Sequence, residues 1–176
     1  MTREHRMDRR ALRSCNSFSI SPVPPALRNS SSQGARLGNL LTQGIAGTPG
    51  ITPHQVHTDD RCGYWFYFFR IQSDRLRATR DEFAKALAAE GVECSPGYIP
   101  VPLYGNPVFQ QHGFFAGRWP VREFGLTTMD YSKASCPEAE AILKTGIRIT
   151  IHEGMNEAYI ESAARAVRKV AKFYAA

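Results

Sequence analysis

Residues 64–71 read Tyr-Trp-Phe-Tyr-Phe-Phe-Arg-Ile, and this run constrains the fold more than any other part of the chain. Nearly every side chain in it is aromatic or β-branched, the types that fit a pleated surface. Apolar residues occupy both alternation sets, so the run predicts a strand covered on both faces. A strand of that kind must lie within a sheet and beneath other elements.

The segments that follow supply those elements. Thr79 is a natural N-cap and Glu82 stands three positions later, which predicts a capping box. Phe83, Ala86 and Leu87 give the resulting helix an apolar stripe, and Gly91 is placed to stop it. Residues 92–95 predict a second, short strand. Residues 96–130 are punctuated by prolines and glycines with aromatics between them, a long irregular segment of the kind that usually has a function. Pro137, Glu138 and Glu140 suit the start of a short helix over 137–144, and Gly146 ends it. Ile147, Ile149 and Ile151 alternate with Arg148 and Thr150 as a half-buried strand. Asn156 caps a last helix whose Ile160, Ala163, Ala164, Val167, Val170 and Tyr174 share one face. The order strand, helix, strand, long loop, helix, strand, helix predicts a small α/β sandwich, with helices packed on a three- or four-stranded sheet.

The beginning of the chain differs. Arg, Ser, Asn and Pro dominate residues 1–36, and Pro22, Pro24 and Pro25 interrupt any regular element. An irregular or disordered basic arm is expected at 1–36, with a short helix near Gln33–Gln43, and the folded domain at 37–176. The net charge of +6 invites a nucleic-acid reading. Its distribution argues against one: residues 1–36 hold seven arginines and two acids, whereas 37–176 hold 15 bases and 14 acids. No run of 18 apolar residues exists, so neither a spanning helix nor a membrane partner is expected. The leader lacks the apolar stretch of a secretory signal. Cys15, Cys62, Cys94 and Cys136 form no C-x-x-C pair, which predicts free thiols in a reducing cytoplasm and no metal site.

Several of these segments carry a resemblance. Arg80-Asp81-Glu82-Phe83 with Leu87, then Gly91-Val92-Glu93-Cys94-Ser95, is similar to the lead-in to the substrate loop of the DegT/DnrJ/StrS family. The proline- and aromatic-rich stretch at 100–109, the Pro137-Glu138-Ala139-Glu140 helix start and the segment at 149–160 resemble that family's later motifs, in its order. Pro49-Gly50-Ile51 resembles the tripeptide that precedes its small domain. The resemblance covers residues 35–174. It implies the small C-terminal domain of a fold-type-I aminotransferase that uses pyridoxal 5'-phosphate. Such enzymes move an amino group from glutamate or glutamine to a keto-sugar or keto-cyclitol, and they work as homodimers.

The same resemblance implies a large N-terminal domain with a Schiff-base lysine, and no part of these 176 residues matches it. Lys85, Lys169 and Lys172 fall on predicted helices, Lys144 closes another, and the surroundings of Lys133 do not match the family's lysine motif. No catalytic and no cofactor-binding residue is therefore assigned, and the chain alone is expected to hold no cofactor. The partners implied are a keto-sugar and the large domain or a second subunit.

Ser95, Gly97, Tyr98 and Tyr104 fall at the family's substrate-facing loop and are the candidate substrate contacts. Tyr98 offers a phenol to a hydroxyl or phosphate, or packs on prolines as a loop tyrosine. Gly97 allows close approach of a ligand or makes a turn. His152, with Glu153 as its neighbour, reads as a structural histidine, because adjacent strand residues face opposite ways. His54 and His57 alone are weak evidence for metal. Arg70 and Arg148, each mid-strand, could bind a carboxylate or phosphate from a sheet face, and read more simply as strand arginines with their stems on the core and their heads in water. Trp119, Phe114, Phe115, Phe124 and Tyr131 read as packing or subunit contact. Two further readings remain: a non-catalytic interaction module, and a module that stacks single-stranded RNA on its aromatic strand, which lacks the basic stripe that role requires.

Overall fold

The computed structural model describes residues 25–113, 115–152 and 154–176. The expectations for residues 1–24, Phe114 and Glu153 lie outside the described residues. The elements run α1 (Pro25–Ile45), β1 (Ile51–Thr52), β2 (Phe66–Ile71), α2 (Arg80–Ala89), β3 (Cys94–Pro96), α3 (Pro107–Gln110), α4 (Pro120–Glu123), α5 (Pro137–Thr145), β4 (Gly146–Thr150) and α6 (Glu157–Phe173). The four strands form one antiparallel sheet in the order β1-β2-β4-β3.

Local signals set several of the boundaries. Thr79 accepts from the Glu82 backbone while Glu82 accepts from the Thr79 backbone, the reciprocal arrangement that satisfies two orphan donors of α2. Asn156 caps α6 by accepting from Tyr159 N at 2.9 Å. Pro137 opens α5 and Gly146 follows its last residue.

Helix α1 begins at Pro25, well ahead of the expected start, so residues 25–36, assigned from the sequence to an irregular arm, are helical. Leu37, Leu41 and Ile45, each four residues from the next, are fully buried and carry its inner face. Glycines obscure that period in the sequence. A mid-helix glycine costs about 1 kcal/mol against alanine. At Gly38, however, an added Cβ would lie 2.4 Å from the Tyr64 ring, so its bare backbone lets that ring lie against the helix. Tyr64 has a φ of 41°, uncommon for an aromatic residue. It stacks on Tyr67 at 5.7 Å and meets His54 edge-on at 5.3 Å. Tyr67 Oη shares a 2.9 Å hydrogen bond with Thr42 Oγ1 and accepts from His54 N at 3.2 Å. Burial pushes the Tyr67 phenol up and the His54 imidazole down.

The core lies on one side of the sheet. Tyr67, Phe69 and Ile71 of β2 and Ile147 and Ile149 of β4 point into it. Leu37 and Leu41 of α1, Phe83 and Leu87 of α2, and Ile160, Ala163 and Val167 of α6 meet them. The small Ala163 and Ala164 let α6 approach α1 closely.

The other side of the sheet corrects an expectation. Strand β2 is not covered on both faces: Phe66, Phe68 and Arg70 are half-buried. Helix α5 reaches over the Phe68–Arg70 end, where Arg70 donates to Thr145 Oγ1 at 3.0 Å and pairs with Glu138 at 2.6 Å. At the Phe66 end no helix among the described residues covers the sheet, and Trp65 is 77% exposed. Aromaticity on both alternation sets therefore marks a half-open face here, not a doubly covered strand.

The long segment between β3 and α5 contains α3, α4 and three single 3₁₀ turns. Trp119 is its anchor. It stacks on Tyr131 at 5.1 Å, with His112 at 4.6 Å on it and Phe109 edge-on to Tyr131 at 5.3 Å. Phe115 and Phe124 stay exposed. Among the described residues, no helix is long and apolar enough to cross a membrane.

Candidate functional site

Strand register decides which candidates meet. Ser95 pairs with Arg148, and Arg148 pairs with Phe68, so Ser95, Arg148 and Phe68 stand in one row on the half-open face. Arg148 Nε donates to Ser95 Oγ at 3.1 Å. Its guanidinium carbon lies 5.8 Å from the Phe66 ring centre and 5.7 Å from that of Tyr98. Tyr98 stacks on Phe66 at 5.1 Å and meets Trp65 edge-on at 6.2 Å. The guanidinium lies beside two rings that stack on each other, and Trp65 stands edge-on to one of them, Tyr98.

Ser95 and Tyr98 therefore belong to one constellation. Gly97 and Tyr104 do other work. Gly97 has a φ of +68°, donates to Gly146 O at 2.9 Å, and an added Cβ there would come 2.9 Å from Arg80 Nη1. It turns the chain off β3 and makes room for Arg80, which donates to Leu143 O at 2.5 Å. Beside it lies a cleft of about 390 Å³ between α2, Pro100–Pro102 and α5, with Arg80 and Lys144 on its walls.

Tyr104 anchors the loop to α5. Its hydroxyl donates to the Glu140 carboxylate and accepts from Cys136 N at 3.1 Å. Ser135 Oγ also donates to Glu140, at 3.3 Å. The bond with Glu140 raises the Tyr104 phenol, and the same bond holds the Glu140 carboxyl below its ordinary range.

The remaining candidates have local partners. His152 Nδ1 accepts from Gly154 N at 3.1 Å within its own loop. Arg70 is tied to α5. Among the described residues, no three His, Cys, Asp or Glu side chains gather as a metal site.

Pyridoxal phosphate requires a desolvated lysine and an acid aimed at its ring nitrogen. Lys85, Lys133, Lys144, Lys169 and Lys172, all the lysines of the chain, are exposed. Lys169 is paired with Glu90 and Lys133 with Asp130. The residues present do not fit a covalent cofactor site.

Phe66 and Trp65 are candidate-site residues that the sequence did not single out, and Arg148 is one it read as a strand arginine in preference to an anion contact. The alternation around Ile147 and Ile149 placed Arg148 off the core face, but only strand pairing puts it beside Ser95 and under Tyr98.

No curated protein sequence matches the chain. Solved structures do, at low identity. DesV from S. venezuelae, determined in complex with a ketimine intermediate, matches with a TM-score of 0.61 and 20% identity, over 83% of this chain and 33% of its own. PseC from Helicobacter pylori, an aminotransferase involved in the biosynthesis of pseudoaminic acid, gives 0.61 and 15%, over 82% and 33%. DesI, analysed in the presence of its TDP-sugar product, gives 0.60 and 15%, over 83% and 32%. The chain thus spans about a third of the length of the structures it matches. Identities this low show a shared fold: an α/β unit found within fold-type-I aminotransferases. Residues 26–168 match the family's own pattern, from α1 into the last helix. The chain accordingly belongs to the DegT/DnrJ/EryC1/StrS aminotransferase family.

Proposed function

We propose that this chain is the smaller lobe of an aminotransferase that passes an amino group from glutamate or glutamine to a keto-sugar or keto-cyclitol. The observation that carries the reading is the half-open sheet face. A lobe that closes over a reaction centre needs polar and aromatic groups on the side away from its own core, and Ser95, Tyr98 and Arg148 stand there. The family match, and relatives named for sugar products and sugar-acid biosynthesis, support the substrate class.

In this reading Tyr98 donates its phenol to a substrate hydroxyl, and Ser95 fixes the plane of Arg148 beside it. Gly97 and Tyr104 shape the loop that carries Tyr98, the first by its turn and the second by its tether to Glu140. Pyridoxal phosphate supplies the electron sink for amino transfer in the family. Its lysine and ring-nitrogen partner belong to a larger lobe outside these 176 residues, so the chain alone transfers no amino group. The cytoplasm is the compartment where such a substrate and free thiols coexist.

Incubation with pyridoxal phosphate, borohydride reduction and peptide mass spectrometry test this. No lysine should carry the cofactor in stoichiometric amount. Adding the chain to a separately prepared large lobe should restore amino transfer that neither part performs alone. A stoichiometric adduct on the isolated chain, or no gain on mixing, sinks the reading.

A further inference from the structure

The fold treats the two arginines of the half-open face differently. Arg70 is neutralised by Glu138. Arg148, on the neighbouring strand, takes part in none of the ion pairs among the described residues. Its Nε is engaged by Ser95, and its terminal nitrogens make no hydrogen bond among the described residues. Phe66 and Tyr98 lie 5.8 and 5.7 Å from the guanidinium carbon, contacts that use none of its donors. A half-buried cation held at Nε by Ser95, with unengaged terminal donors, is prepared for an oxyanion, which a planar fork binds by two parallel hydrogen bonds. Trp65 extends the surface: edge-on to Tyr98 and 77% exposed, it leaves a broad indole face for a ring.

We propose that Arg148, Ser95, Tyr98 and Trp65 form a binding site for a small ligand that joins an oxyanion to a ring-shaped body. The oxyanion meets Arg148 and the body lies on the Trp65 indole face, with Tyr98 at its border. A phosphate and a carboxylate offer the same chemistry to the fork. The proposal rests on the reading above only for its choice of ligands, and its site does not depend on the missing lysine.

Tryptophan fluorescence of the whole chain tests it directly. Trp119 is packed at 9% exposure inside the loop cluster, so Trp65 supplies the ligand-dependent signal, and W65F gives the background. The probes are uridine 5'-diphosphate, inorganic pyrophosphate and L-glutamate. A saturable response to at least one is expected, weakened about tenfold or more by R148Q. R148K, which keeps the charge but not the fork, should also weaken it. Response to the two phosphate compounds alone identifies a phosphate as the anion, and response to glutamate alone identifies a carboxylate; both support the site. Y98A, at a position 51% exposed, provides a second variant with little risk to folding and should weaken binding as well. Equal affinity in R148Q and wild type, or no saturable response to any probe, overturns the proposal. So does stronger binding of an oligouridylate with a steep salt dependence, which would hand the face to nucleic acid. None of these failures touches the mixing experiment above, so the two ideas fall separately.

Discussion

Tyr104 and Glu140 show how one hydrogen bond ties loop position to pH. Glu140 is held below its ordinary value of 4.5 chiefly by the Tyr104 hydroxyl. A carboxyl depressed in the folded state contributes stability above its unfolded pKa and loses it as pH falls through the folded one. Y104F removes the donor, so wild type should be more heat-stable than Y104F near neutrality. That gap should close as pH falls below 4.5 in thermal melts; a gap independent of pH would mean the tyrosine acts by packing alone. Gly38 offers a second test at this scale. On an exposed helix G38A would add about 1 kcal/mol of stability. Here the new Cβ meets the Tyr64 ring at 2.4 Å, and overpacking of that kind costs about 1–3 kcal/mol. Urea denaturation should show a net loss, and a net gain would mean that Tyr64 is free to retreat.

Among the elements, α2 was the most legible in the sequence, because its ends are fixed by neighbours three residues apart. T79A should cost about 1 kcal/mol in urea denaturation, by removing the hydroxyl that accepts from Glu82 N, while the backbone N–H at position 79 keeps its bond to the Glu82 carboxylate. Helix α6 was equally plain, since Ile160, Val167 and Val170 repeat at helical spacing. I160A should cost about 2–5 kcal/mol as a buried large-to-small change. Helix α1 was only partly legible. Its glycines and serines spoil the local period, and what makes it a helix is contact with Tyr64 and α6 far along the chain. The candidate site was half legible for a similar reason. Ser95 and Tyr98 could be placed by motif, but Arg148 joins them only through pairing between β3 and β4, which no window of sequence displays. The aromatic run at 64–71 misled for the opposite reason: its outward rings line the half-open face, where apolar composition mimics burial.

For the molecule as a whole, the unusual quantity is exposed apolar surface. Leu103, Phe115, Phe124 and Leu126 of the long segment are mostly exposed, as is Trp65 at the edge of the sheet. Surfaces of that kind drive association. The isolated chain should elute earlier from a sizing column as its concentration rises, and F124S with L126S should reduce that shift while leaving the melting temperature nearly unchanged. The long segment has its own small core around Trp119 and is attached near its start, by Gly97 to Gly146 and by Tyr104 to Glu140, while Cys136 N at its end donates to Tyr104 Oη. The central strands β2 and β4 close the sheet without it. Loop closure entropy rises only logarithmically, about 0.6 kcal/mol for each doubling of length. The lobe is therefore a chassis with an exchangeable head: residues 97 to 136 can be lengthened or rewritten at little thermodynamic risk to the framework that holds them.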